Sequence, residues 1–181
     1  MNDTQWKRYQ VFVQEAEGKP HLDYGSVHAP DAELALLNAR DVFARRPECI
    51  SMWVVPADAI YSITAEALKE QRTVNPSDIQ LPLESYIVFN KSRHTGTLSY
   101  AGAVTACTTV DALEKALVKF GSEEKVLVWC IFPERLVTKS NIQDTDSYYA
   151  PARDKSFRLS NDFHTVTDMR KIKHSPDRGA A

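Results

Sequence analysis

Apolar and polar positions along the first sixty residues change period three times, and each change marks an element. From Tyr9 to Gln14 the chain is β-branched and aromatic, which predicts a strand. Gly18-Lys19-Pro20 supplies a turn, and His21 to Ala29 predicts a returning strand. Ala32, Ala35, Leu36, Ala39, Val42 and Phe43 then fall at the i, i+3, i+4, i+7 spacing of one buried helix face. Pro30-Asp31 opens that helix, because Pro fits a first turn and a carboxylate suits the positive end of the helix dipole. Pro47 closes it, Ile50 to Val55 predicts a third strand, and Pro56 to Ile60 ends a β-β-α-β run.

The same plan returns 77 residues later without a gap. Tyr9-Gln10-Val11-Phe12 becomes Tyr86-Ile87-Val88-Phe89, Gly25 becomes Gly102, Ala39 and Phe43 become Ala116 and Phe120, and Pro56 becomes Pro133. The second helix carries its stripe at Val110, Leu113, Leu117 and Phe120, with Thr108 or Thr109 to cap it and Gly121 to stop it. Lys125 to Phe132 is almost continuously apolar, as a strand covered on both faces would be, and it is expected where the two copies meet. The shared positions are nearly all apolar, Gly or Pro, so what is repeated is a scaffold and not an active site. A unit of roughly 55 residues buries too little surface to stand comfortably alone. The expected fold class is therefore α+β, two tandem β-β-α-β units packed as a pseudo-dimer. The units are expected at 1–62 and 85–137, joined by a linker at 63–84 with a short helix over Thr64 to Arg72. A polar tail, 138–181, is expected to be extended, with a loop over Thr138 to Ser147.

Composition narrows the function by exclusion. A formal net charge of −2 gives no reason to expect nucleic acid or an anionic membrane as partner. No apolar run approaches the ~18 residues of a membrane span. Without a signal-peptide apolar region in the first residues, a cytoplasmic location is expected. Cys49, Cys107 and Cys130 are too far apart for a metal cluster and are expected as buried free thiols. No histidine has a Glu three residues before it, and phosphate loops, dinucleotide fingerprints and nucleophile elbows are absent. No cofactor, metal or catalytic residue is indicated.

Polar residues present in the first copy and changed in the second are the candidates for recognition. His28 precedes the first helix, where the second copy has Thr105. Asn38, Arg40, Asp41, Arg45 and Arg46 stand where the second copy has Lys115, Leu117, Val118, Ser122 and Glu123. Their plain readings are a histidine bonded to a neighbouring group and a solvated helix face. Trp6 precedes the first strand, where little core exists, and Trp is a favoured interface anchor; packing is its plain reading.

The first copy resembles the PaaB family, the B subunit of phenylacetyl-CoA epoxidase. The residues that carry the likeness are Trp6, Tyr9, Val11, Phe12 and Val13, then Gly25-Ser26-Val27-His28-Ala29 and Asn38-Ala39-Arg40-Asp41. Arg45-Arg46, Glu48 and Ser51-Met52-Trp53-Val54-Val55 continue it, and Phe157-Arg158 with Phe163-His164-Thr165-Val166 echo the family's tail. Typical members have about half this length and one copy of the unit, so the second copy is a departure. The resemblance implies a non-catalytic bridging subunit of an aromatic-CoA ring oxygenase. Its partners would be the catalytic di-iron subunit and the structural helical subunit, with no nucleic acid, membrane or small-molecule substrate of its own. Trp6, His28, Asn38, Arg40, Asp41, Arg45 and Arg46 are the partner-binding candidates. Two alternatives stand beside it: a small cofactor-independent enzyme of the dimeric α/β-barrel kind, and a CoA-thioester sensor with Arg45 and Arg46 on the phosphates.

Overall fold

The computed structural model describes residues 6–44, 49–70, 82–121, 125–153 and 164–173. The first half runs β1 (Lys7–Gln14), β2 (Leu22–Ala29), α1 (Ala32–Phe43), β3 (Ser51–Pro56) and, after a 3-10 turn, β4 (Tyr61–Thr64) and α2 (Ala65–Glu70). The second half runs β5 (Glu84–Lys91), β6 (Ser99–Ala106), α3 (Thr109–Phe120), β7 (Val128–Pro133), a further 3-10 turn and β8 (Thr138–Lys139). Two helices follow, α4 (Thr145–Arg153) and α5 (Thr165–Lys173). The class is α+β with antiparallel pairing throughout.

Local chemistry starts and shapes these elements as the pattern predicts. Asp31 caps α1 by accepting the Leu34 N–H at 2.8 Å, and Thr108 caps α3 by accepting the Asp111 N–H at 3.2 Å. Ala35, Leu36 and Ala39 face inward on α1, as do Ala112, Leu113 and Ala116 on α3; Val42 and Val110, expected on those faces, lie near the helix ends and are exposed instead. The β1–β2 register shifts between Val11 and Phe12, and the β5–β6 register between Val88 and Phe89. Gly25 and Gly102 sit opposite these irregularities at φ 120° and 151°, where a side chain is strained. A methyl group on Gly102 would lie 2.6 Å from the Phe120 ring, so the glycine lets the end of α3 close onto its strand.

Strand order is β4-β7-β5-β6-β2-β1-β3-β8. The halves join where β2 meets β6, pairing Leu22 with Ser99 and exchanging Asp23 N–H to Leu98 C=O and Tyr100 N–H to His21 C=O, both 2.9 Å. The outer strands are exchanged: β4 leaves the first half to pair with β7, and β8 leaves the second to pair with β3. That exchange forces the sheet to curl. Flat, β3 and β4 would stand about 29 Å apart, six strand spacings. The link from Pro56 to Tyr61 spans at most about 18 Å.

Curling turns one face of the sheet inward and leaves a helix on each outer face. Val11, Val13, Met52 and Val54 pack under α1, and Tyr86, Val88, Trp129 and Ile131 pack with α3. The alternate residues Phe12, Val55, Ile87, Phe89, Cys130 and Phe132 meet in a shared interior. There the Phe12 ring stacks on Phe89 at 4.1 Å and on Phe132 at 5.5 Å. β7 is buried on both faces, as its apolar run predicts.

Four stretches differ from expectation. β4 straddles the expected unit boundary at residue 62; four residues alternating Tyr61, Ser62, Ile63 and Thr64 carry too little pattern, and their pairing partners lie well over 60 residues away. Thr138 and Lys139 form β8 inside the expected loop, again through a distant partner. The C-terminal tail is not extended where it is described: α4 and α5 are helical. α4 holds because Tyr148 and the buried Tyr149 give it an apolar face on the first half's core. The expected stop at Pro47 lies outside the described residues, as do residues 71–72 of the expected linker helix.

Candidate functional site

The outward face of α1 is unlike that of α3 despite the shared inward face. Leu34, Leu37 and Val42 are large apolar side chains exposed on α1, at 38%, 40% and 53%. Their counterparts 77 residues on are Asp111, Glu114 and Lys119. Asp111 and Lys115 form an i, i+4 bridge of 2.8 Å, as on an ordinary solvated helix. Val110 and Val118 are also exposed on α3, but they are set among those charges. Sequence reasoning passed over Leu34 and Leu37; the available signal was two leucines three residues apart and off the buried stripe.

Beside this face the structure gathers three of the sequence-derived candidates. His28 is exposed, its Nδ1 3.4 Å from the Trp6 carbonyl oxygen, and Asn38 donates from Nδ2 to the His28 carbonyl at 3.3 Å. Trp6 is 54% exposed, more than packing requires of a ring that size. The Asn38 contact has a counterpart, since Lys115 donates to the Thr105 carbonyl at 2.9 Å. This position therefore ties helix to strand in both halves, whatever else Asn38 contacts.

Arg40 reaches the other flank, toward α4, while Asp41 is exposed and pairs with it. Arg40 Nε lies 3.2 Å from Asp41 Oδ1, and its guanidinium sits 5.1 Å over the Tyr148 ring. Tyr148 in turn donates its hydroxyl to the Leu36 carbonyl at 2.9 Å. Arg40 thus fastens the tail helix to α1. Burial pushes the Tyr148 hydroxyl up to about 12, against the opposing pull of Arg40, so it stays a donor. Next to it Tyr149 donates to Ser140 at 3.3 Å, its pKa raised by burial. Arg45 and Arg46 lie outside the described residues.

Two clefts adjoin at Arg8 and Ala57. One, of about 310 Å³, is lined by Trp6, Lys7, Arg8, Ala57 and Asp58. The other, of about 270 Å³, opens between the halves: Phe12 and Cys130 lie at its buried end, and Arg8 and Ser62 are its exposed members. Burial raises the thiol pKa of Cys130, which contacts the Ser62 hydroxyl at 3.4 Å, and burial raises that of Cys49 too. Both sulfurs are therefore held as protonated, weakly nucleophilic thiols. Among the described residues no group of three or more His, Cys, Asp or Glu is placed to hold a metal ion. No helix among them is long and apolar enough to cross a membrane.

The family-model match falls on the half that carries this face. The family model described as "Phenylacetic acid degradation B" matches residues 5–78. The chain is 44% identical over 66 residues to the B subunit of 1,2-phenylacetyl-CoA epoxidase from Escherichia coli (strain K12), covering 36% of this chain and 70% of that protein. No solved structure matches the chain.

Proposed function

The chain belongs to the phenylacetic acid degradation B family, and from that membership we propose that it is a non-catalytic bridging subunit of an epoxidase acting on an aromatic CoA thioester. In this reading the partners are the catalytic di-iron subunit and the structural helical subunit, and the chemistry belongs to the former. The two halves serve as a tandem pseudo-dimer in one chain, with units at 1–62 and 85–137, a joining stretch at 63–84 and a tail at 138–181. The first half keeps the partner face and the second acts as its internal mate.

The observation that carries this is the difference between the two helices. A scaffold function asks the same of α1 and α3, and their inward faces agree. Only α1 turns Leu34 and Leu37 outward where α3 has Asp111 and Glu114, and Trp6 and His28 stand beside it. Apolar anchors with an aromatic at the margin are what a partner-binding patch needs. Arg40 contributes by holding α4 against the far side of the same helix, and Asp41, Arg45 and Arg46 are assigned to the partner contact with it.

The test transfers the α3 residues onto α1. L34D/L37E is expected to keep the wild-type melting temperature within a few degrees, because both side chains are exposed, and to lose co-purification with the oxygenase subunits. Full co-purification by a folded L34D/L37E chain would remove α1 from the interface. The same pull-down with Trp6→Ala measures the margin of the patch, where a weaker but retained complex is expected.

A further inference from the structure

β2 and β6 meet only at their first residues, Leu22 with Ser99. They run in opposite directions, so each continues past the other. Among the described residues no strand pairs with the outer edge of either one beyond that junction. A bare edge is a row of unpaired N–H and C=O groups, which proteins guard with charged side chains, lysine above all. The edge of β6 is guarded in that way. Lys115 donates to the Thr105 carbonyl at 2.9 Å and Lys119 to the Ala103 carbonyl at 3.1 Å, while Asp111 holds Lys115 at 2.8 Å. These three side chains stand four residues apart, one row along α3 that overhangs the edge.

The β2 edge has the same geometry without the guard. Ser26 and His28 stand opposite Gln10 and Arg8 as Ala103 and Thr105 stand opposite Ile87 and Ser85. Alternate residues of an antiparallel strand turn both backbone groups to the same side, so Ser26 and His28 present theirs outward. Asn38 reaches the His28 carbonyl at 3.3 Å. Val42 stands where α3 has Lys119 and has nothing to donate to Ser26, and Leu34 stands where α3 has Asp111. The row over this edge is therefore Leu34-Asn38-Val42, with an exposed apolar side chain at each end.

The sheet face away from α1 is cationic here. Val27 and Ala29 pack in the core under α1, so Ser26 and His28 turn their side chains to the opposite face. Arg8, paired across from His28, lies on that face too, and among the described residues it has no ion-pair partner.

We infer that the β2 edge takes an extended segment of an oxygenase subunit as one more strand, with Ser26 and His28 supplying the backbone hydrogen bonds. Apolar residues of that segment lie against Leu34 and Val42, and the residues alternating with them, one of them acidic, face His28 and Arg8. His28 and Leu34 belong both to this edge and to the partner face on α1, so the two are continuous. A second copy of β2 would not serve, since Tyr24 to Ala29 contains no carboxylate to meet Arg8. The inference rests on the bridging role and names how the partner is held.

Hydrogen exchange read at single amides, on the free chain and on its complex with co-expressed oxygenase subunits, tests it. Exchange at Ser26 and His28 is expected to slow about tenfold or more in the complex, while Ala103 and Thr105 keep their free rates. N38K/V42K, which copies the guard on α3, is expected to keep the fold and lose the complex; should the pair not fold, Val42→Lys alone guards the Ser26 carbonyl. A complex with unchanged exchange at Ser26 and His28, or a full complex with a folded lysine variant, would overturn the edge and leave the bridging role standing. No complex with the wild-type chain would overturn both. A free chain that dimerises with those two amides protected would give the edge to a second copy and overturn the inference.

Discussion

Phe12 and Phe89 are the residues on which the packing of one half against the other is most directly measured. Both are fully buried, each comes from the central strand of its own half, and their rings stack at 4.1 Å. Replacing either with Leu keeps the site apolar and removes part of the ring, a truncation expected to cost about 1–2 kcal/mol. A stacked pair is worth about 0.5–1.5 kcal/mol beyond its buried area. That pair term is lost with the first substitution and cannot be lost again. F12L/F89L should therefore be less destabilised than the sum of the singles by about 0.5–1.5 kcal/mol. Urea unfolding followed by tryptophan fluorescence gives the three differences, and a single transition is expected because the shared interior couples the halves. Costs that add to within about 0.3 kcal/mol, the behaviour of separated sites, would refute the face-to-face interior. So would two resolved transitions, one moved by each substitution.

Two further outcomes follow from single residues. His21 is pulled down to about 4 by burial and then by Lys139, below the ordinary value of 6.5. Its folded form thus favours the neutral ring, so its contribution is complete above pH 6.5 and is lost as pH falls toward 4, by at most about 1.4 kcal/mol per pH unit; His21→Leu, copying Leu98, should flatten that part of the stability-against-pH curve, and an unchanged slope would show that other groups set it. Arg40→Ala removes the cation over Tyr148 and should cost about 1 kcal/mol; hydrogen exchange should then quicken in α4 and not in α3, whereas unaltered exchange in α4 would mean that Tyr148 and Tyr149 hold it unaided.

Short-range pattern was enough to place the helices α1 and α3, the start of one at Pro30-Asp31 and a cap for the other at Thr108 or Thr109, and the strands β1, β2, β3, β5, β6 and β7. Each of these announces itself within a dozen residues, by period, by a capping side chain or by a turn glycine. The 77-residue repeat was also legible, since Gly25 with Phe43 and Gly102 with Phe120 preserve the same close approach of helix to strand. The partner candidates Trp6, His28 and Asn38 are indeed close together, but Arg40 faces α4, a contact between residues 108 apart in the chain. β4 and β8 escaped the pattern because four and two residues have no period of their own, and their hydrogen bonds come from the opposite half. That exchange is a tertiary event, and it alone curls the sheet. Curling is what brings Phe12 onto Phe89 and Phe132 in one interior, because a side chain's neighbours across a folded sheet are not its neighbours in sequence.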